Sequence, residues 1–225
     1  MAQATEAIMA ALERNWEMID LALAGLDGPI LALRPTDQCN SIAWILWHMS
    51  RVVDTFIHTR FQSKPQLWVR DDWHQKFGMK GDPEERGVGW SAEQVAAWAP
   101  PSREVLLGYV EAVKGSARGY LLTLTSADLD RKIVSTPIPR PRSVAEVLGQ
   151  MTWDNIAYAG QIAYLRGFYR GIGWHREARR GRLRSTLSNI KVTGPSFCRR
   201  TCIYSWNRPL ATFSVVCSNR LTACA

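Results

Sequence analysis

Asn40-Ser41-Ile42-Ala43-Trp44-Ile45-Leu46-Trp47-His48-Met49-Ser50-Arg51-Val52-Val53-Asp54 is the stretch from which the fold is read. Asn40 or Ser41 can cap the free backbone N–H groups at a helix start. Apolar residues then recur at Ile42, Leu46, Met49, Val53 and Phe56, at the three- and four-residue steps that place side chains on one helical face. Neither Gly nor Pro interrupts the run, so the spacing predicts one helix from about Asn40 to Phe61.

Outward from this stretch, three further segments carry the same period. Ile8, Met9, Leu12, Trp16, Ile19 and Leu23 predict an amphipathic helix over Thr5 to Ala24, ended by Gly25 and the breaker-rich run from Asp27-Gly28-Pro29 to Arg34-Pro35. Val105, Leu106, Tyr109, Val110, Val113, Tyr120, Leu121 and Leu124 predict a third helix from Ser102 to about Thr125. Ser143 followed three residues later by Glu146 reads as a capping box, opening a fourth helix through Met151, Ile162 and Leu165 to about Tyr169. No strand pattern of alternating β-branched residues separates them. Four such helices predict an all-α four-helix bundle, and the two long connections permit an order other than simple up and down.

Residues 64 to 101 form the longer irregular connection, broken by Pro65, Gly78, Gly81, Pro83, Gly87, Gly89 and Pro100-Pro101, with room for a short helix at Ser91-Ala92-Glu93. Trp68, Trp73, Trp90 and Trp98 fall there, which makes the segment either a lid over a site or plain cover for the bundle. The connector with Pro137, Pro139 and Pro141 is the second. After Trp174 the composition changes to Arg, Ser, Thr, Cys and Asn without period. Residues 1–174 are therefore expected to form the bundle and 175–225 a poorly structured basic tail, with at most a strand-like run near Ala211 to Val216.

The 225 residues, 46% hydrophobic, suffice for a real core. No apolar stretch approaches the ~20 residues that span a bilayer, and Met1 to Glu6 lacks the pattern of a secretory leader; the expectation is a cytoplasmic protein with no membrane partner. The net charge of +8 divides as −1 over residues 1–174 and +9 over 175–225. The bundle thus has no electrostatic footprint for nucleic acid, and any such binding would belong to the tail. Cys198, Cys202, Cys217 and Cys224 crowd that tail at spacings too irregular to define a zinc site. No Gly-x-Ser-x-Gly, phosphate-binding Gly-Lys-Ser/Thr loop, His-Glu-x-x-His or dinucleotide turn occurs.

Two segments resemble a known family. The quoted stretch from Asn40 to Asp54 is similar to the second helix of DinB/YfiT-like proteins, and Asp154-Asn155-Ile156-Ala157-Tyr158-Ala159-Gly160-Gln161-Ile162-Ala163-Tyr164-Leu165-Arg166-Gly167 is similar to their fourth. The resemblance covers about residues 5 to 174. It implies a four-helix bundle holding a divalent metal on three histidines, one from the second helix and two spaced by four residues on the fourth. The matching positions here are His48, Asp154 and Tyr158. The resemblance further implies a metal-dependent thiol transferase or hydrolase acting with a low-molecular-weight thiol, the metal being zinc, nickel, iron or manganese. The replaced histidines leave a second reading open, a catalytically inactive, metal-free bundle that binds a small molecule or serves a stress response. The resemblance also implies pairing, since bundles of this family often pair; the Trp-rich surface could support a homodimer, and no sequence feature fixes the interface.

Other residues are weighed against simpler roles. His58 lies about 15 Å along the helix axis from His48, too far to share an ion. Asp54 with Arg51 or His58 reads as a solvated or interhelical pair worth little energy. His74 either folds over the pocket or lies at the surface. Cys39 is either a thiol activated by a helix start or a buried filler. Gln161 and Arg166 are expected to orient helix ends or bind across helices.

Overall fold

The computed structural model describes residues 4–135 and 138–175. In chain order these form α1 (Ala4–Leu23), α2 (Gly28–Ala32), α3 (Ile42–Asp54) with a π-helical continuation (Thr55–Arg60), α4 (Leu67–Arg70), α5 (Trp73–Lys76), α6 (Ala92–Ala97), α7 (Arg103–Leu121), α8 (Ser126–Asp130), β1 (Lys132–Ser135), β2 (Ile138–Ser143) and α9 (Val144–Arg170). The four long helices make the bundle. α3 packs on both α7 and α9, and α1 packs mainly on α9. The expected strand-like run at 211–216, the tail and its cysteines lie outside the described residues.

Local chemistry fixes the ends. The Ser41 side chain accepts from Trp44 N at the start of α3, Ser102 caps α7, and Ser143 with Glu146 closes the expected capping box of α9. A second such box, Ser91 with Gln94, opens α6. α7 stops at Leu121, earlier than its apolar period predicts, because Thr125 and Asp128 form a third box that starts α8. The proline-rich connector is a two-stranded antiparallel hairpin with Lys132 opposite Ser143 and Val134 opposite Pro141. Prolines hide such a strand from a period-two reading, yet their fixed φ suits extended backbone where no ladder hydrogen bond is required.

Every residue of α3 is buried, which makes it the axis of the protein. α7 and α9 cover two sides, and α2 and the segment from Leu67 to Trp98 cover the rest. Around it sit Leu12 and Ile19 of α1, Leu106, Tyr109 and Leu121 of α7, and Val147, Met151 and Ile162 of α9. Each such side chain contributes about 1.5–3 kcal/mol by leaving water. Polar ties set the register of α1 against α9. Asn15 Nδ2 donates to the backbone and side-chain oxygens of Asn155, both at 3.2 Å, and Trp16 Nε1 donates to Asn155 Oδ1 at 3.3 Å.

Among the described residues, no helix is long and apolar enough to cross a membrane. Four of the exposed large apolar residues, Trp153, Ile156, Tyr164 and Phe168, lie on the outer face of α9. The tryptophans of the irregular segment turn inward: Trp68 is fully buried, and Trp90 and Trp98 pack on the buried Trp47 at 5.2 and 5.5 Å. They are cover for the core, with Trp90 also forming part of a cleft wall.

Candidate functional site

His48 stands in α3 where the buried axis meets a cleft of about 550 Å³. Its ring lies flat on Trp44, 4.9 Å between centroids, and meets Tyr158 of α9 edge-on at 4.8 Å. Its Nδ1 contacts the Arg86 backbone carbonyl. A carbonyl can only accept, so Nδ1 carries the hydrogen and Nε2 is the lone-pair nitrogen of the neutral ring. Burial pushes the His48 pKa below its ordinary value; the hydrogen bond to the Arg86 carbonyl works against this and the Arg86 charge adds to it. The ring is therefore neutral at pH 7 and fixed in one tautomer.

The strand of chain that holds His48 is itself held by Arg51. That guanidinium is fully buried. Its Nε donates to Glu85 O at 3.1 Å and its Nη2 to Pro83 O at 3.1 Å and Asp82 O at 3.5 Å, while the Trp68 ring stacks on it at 4.5 Å. Nη1 turns to the Tyr109 hydroxyl at 3.2 Å and Asp54 Oδ2 at 3.4 Å. Asp54 accepts further from Leu67 N, Trp68 N and the Tyr109 hydroxyl at 2.9, 2.9 and 2.8 Å. Burial, and next the Asp54 charge, push the Tyr109 phenol well above its ordinary value. The sequence reading of Arg51 and Asp54 as a solvated or interhelical pair worth little energy is thus corrected. Both are wholly buried, because the connector between α3 and α6 wraps the helix face that periodicity alone leaves to solvent.

Gly87 closes this loop against the aromatic wall. It sits at φ +77°, and a Cβ there would lie 2.7 Å from Trp44 and 2.8 Å from Trp47. Only glycine meets both conditions.

Asp154 and Tyr158 line the same cleft as His48, so the three positions named by resemblance are brought together. Their chemistry is not that of three histidines. Burial pushes the Asp154 carboxyl up; burial and then the Asp154 charge push the Tyr158 phenol up. A neutral phenol is a poor donor, which leaves one imidazole nitrogen and one carboxyl where catalytic zinc sites use three protein ligands. Among the described residues no three His, Cys, Asp or Glu side chains converge as a metal cage requires. The donor set does not fit a three-ligand divalent metal.

Besides the Asp154 carboxyl, the cleft offers aromatic and cationic groups. Trp44, Trp90, Phe56 and Tyr158 supply walls, and Arg60 and Arg86 reach it from one side. Those guanidiniums share a single carboxylate, Glu84, at 3.0 and 2.9 Å. The Trp44 indole N–H is buried without an acceptor.

The remaining candidates lie elsewhere. His58 is buried on α7 and joins no part of this cleft. His74 is half-buried, with Nδ1 on the Trp68 carbonyl at 3.0 Å, and does not fold over the pocket. Cys39 is half-buried in the turn before α3, 3.2 Å from Thr36 Oγ1, and the helix start belongs to Ser41. Arg166 reaches across to Ala24 O at 3.4 Å, while Gln161 is exposed. Arg86, Glu84 and Gly87 escaped sequence reasoning because they belong to a loop without period. The Gly87-Val88-Gly89 spacing was their one visible signal.

A family model of the DinB superfamily matches residues 11–162. Among solved structures, the chain is similar to a conserved protein of Enterococcus faecalis, with a TM-score of 0.65 and 22% identity over 74% of this chain and 97% of that one. At that identity the likeness speaks for the fold alone. Among curated proteins none matches the chain.

Proposed function

Because the chain belongs to the DinB superfamily while its cleft is lined by a single histidine, we propose that it binds a small molecule without a resident metal, His48 serving as proton acceptor. The observation that carries this reading is the clamping of the His48 ring. Arg86 O, Trp44 and Tyr158 hold it on three sides and leave Nε2 as its basic atom. Such a nitrogen can take the proton of a thiol or hydroxyl on a bound molecule and raise its nucleophilicity. The aromatic walls accept a planar or aliphatic body. Two guanidiniums sharing one carboxylate leave a positive charge for an anionic group on the ligand. A low-molecular-weight thiol bearing a carboxylate meets all three requirements.

The test is titration of the untagged protein with N-acetylcysteine and with its S-methyl derivative, monitored by tryptophan fluorescence and by thiolate absorbance near 240 nm. Binding of the free thiol in preference to the S-methyl derivative, reduced about tenfold or more in His48→Gln, is the expected result. No binding, or equal binding by His48→Gln, would overturn it. A second reading keeps a divalent metal on His48, Asp154 and Tyr158; the observation favouring it is that all three line one cleft.

We infer in addition that the protein pairs with a second copy through α9. From Trp153 to Phe168, about 22 Å at 1.5 Å per residue, the exposed residues Trp153, Ile156, Ala157, Gly160, Gln161, Tyr164 and Phe168 include no charge. Two copies of an uncharged face of this length can meet about a two-fold axis without like-charge repulsion.

A further inference from the structure

The π-turn after Asp54 re-aims a histidine that an unbroken α-helix would place differently. His58 Nδ1 hydrogen-bonds the Asp54 backbone carbonyl at 3.1 Å and lies 2.7 Å from the Asp54 carboxylate Oδ1. Neither can donate, since the carboxylate is ion-paired with Arg51, so Nδ1 bears the hydrogen. In the neutral ring Nε2 is then the lone-pair nitrogen, and Ser116 Oγ, 2.8 Å from it, is the donor. Carboxylate, imidazole and serine hydroxyl stand in the order by which a serine is made nucleophilic.

Burial runs in the matching direction. Asp54 is 0% exposed and His58 3%, whereas Ser116 is only half-buried. Asp54 is held against rotation by Leu67 N, Trp68 N and the Tyr109 hydroxyl. His58 and Ser116 open together onto a cleft of about 430 Å³ whose lining includes Gln62, Lys64, Arg70 and Tyr120. The Lys64 ammonium donates to Gln62 Oε1 at 3.0 Å and has two hydrogens besides that one. None of Asp54, His58 or Ser116 lines the His48 cleft. A Gly-x-Ser-x-Gly search passes over this group because Ser116 lies within α7; such triads are recognised by geometry and not by sequence position.

We propose that Asp54, His58 and Ser116 form a second site, an esterase-type triad acting on small carboxylic esters. Ser116 Oγ bonds to the ester carbonyl carbon as its proton passes to His58 Nε2. The carbon–oxygen bond to the alcohol breaks, and the alcohol leaves with that proton. Water, deprotonated by the same nitrogen, hydrolyses the acyl-serine to the carboxylic acid and restores the hydroxyl. Only ester and water are consumed. Arg70 is taken up by Asp71, so Lys64 is the lining cation that answers the negative charge on the tetrahedral oxygen.

The experiment treats the full chain with a serine-directed fluorophosphonate and locates the adduct by peptide mass spectrometry, with p-nitrophenyl acetate turnover alongside. One adduct per chain on Ser116 is expected, absent in Ser116→Ala and formed roughly 100-fold more slowly or less in His58→Gln. Ser116→Ala removes one oxygen from a half-buried position, so its melting temperature verifies that lost labelling is not lost folding. No adduct on Ser116 in the folded wild-type chain, an adduct elsewhere only, or the same labelling rate in His58→Gln would each overturn the proposal.

Discussion

Replacing Gly87 by alanine tests the loop that carries the His48 contact, and Gly89 supplies its own control. Both glycines have left-handed backbone, φ +77° and +78°, so either substitution costs about 1–2 kcal/mol of conformational strain. The two differ in surroundings. A Cβ at Gly87 would stand 2.7 Å from Trp44 and 2.8 Å from Trp47, whereas a Cβ at Gly89 meets nothing within 4 Å. Trp47 is 0% exposed and packs on Trp68, Trp90 and Trp98, so it cannot swing aside without moving that cluster. Overpacking of such a site adds about 1–3 kcal/mol. Urea unfolding of the two variants should therefore show a loss of about 2–5 kcal/mol for Gly87→Ala against about 1–2 kcal/mol for Gly89→Ala. Equal losses, within about 0.5 kcal/mol, would refute the packing of this loop on Trp44 and Trp47 and with it the seating of Arg86 O on His48.

Asp54→Ala leaves the Arg51 guanidinium buried without its counter-charge and two backbone donors without an acceptor, so a loss of about 3–5 kcal/mol in the same unfolding assay is expected. The lowered pKa of His48 makes the unfolded chain bind more protons than the folded one below about pH 6.5. Its contribution is thus fully present above that pH and lost as pH falls towards the lowered value, and His48→Gln should flatten stability in this window. Asp154 acts oppositely: its raised pKa contributes stability at acid pH that disappears as pH rises through the folded-state value, an effect Asp154→Asn should remove. Tyr164→Glu puts a charge on a residue 73% exposed on the outer face of α9; sedimentation velocity should show dimers for wild type and monomers for the variant, and an unchanged dimer would place the interface elsewhere.

The bundle was legible because its signals are local. Ser41, Ser102 and Ser143 each cap the helix that their position before an apolar run predicts. The resemblance also named His48, Asp154 and Tyr158, which line one cleft. What escaped depends on long-range burial. Arg51 and Asp54 have the charge and spacing of a surface pair, and only the wrapping of residues 67–98 around α3 makes them a buried brace. The β hairpin hid behind its prolines. The π-turn has no sequence mark, yet it decides that His58 meets Ser116, 58 residues on.

Elemental mass spectrometry of the untagged protein decides whether the His48 cleft works without a resident metal. Samples are measured as purified and after incubation with zinc, nickel, iron and manganese, with His48→Ala in parallel. Less than stoichiometric metal throughout, with no difference between wild type and His48→Ala, is expected. Near-stoichiometric metal in wild type that is lost in His48→Ala would contradict it and establish His48, Asp154 and Tyr158 as a working ligand set.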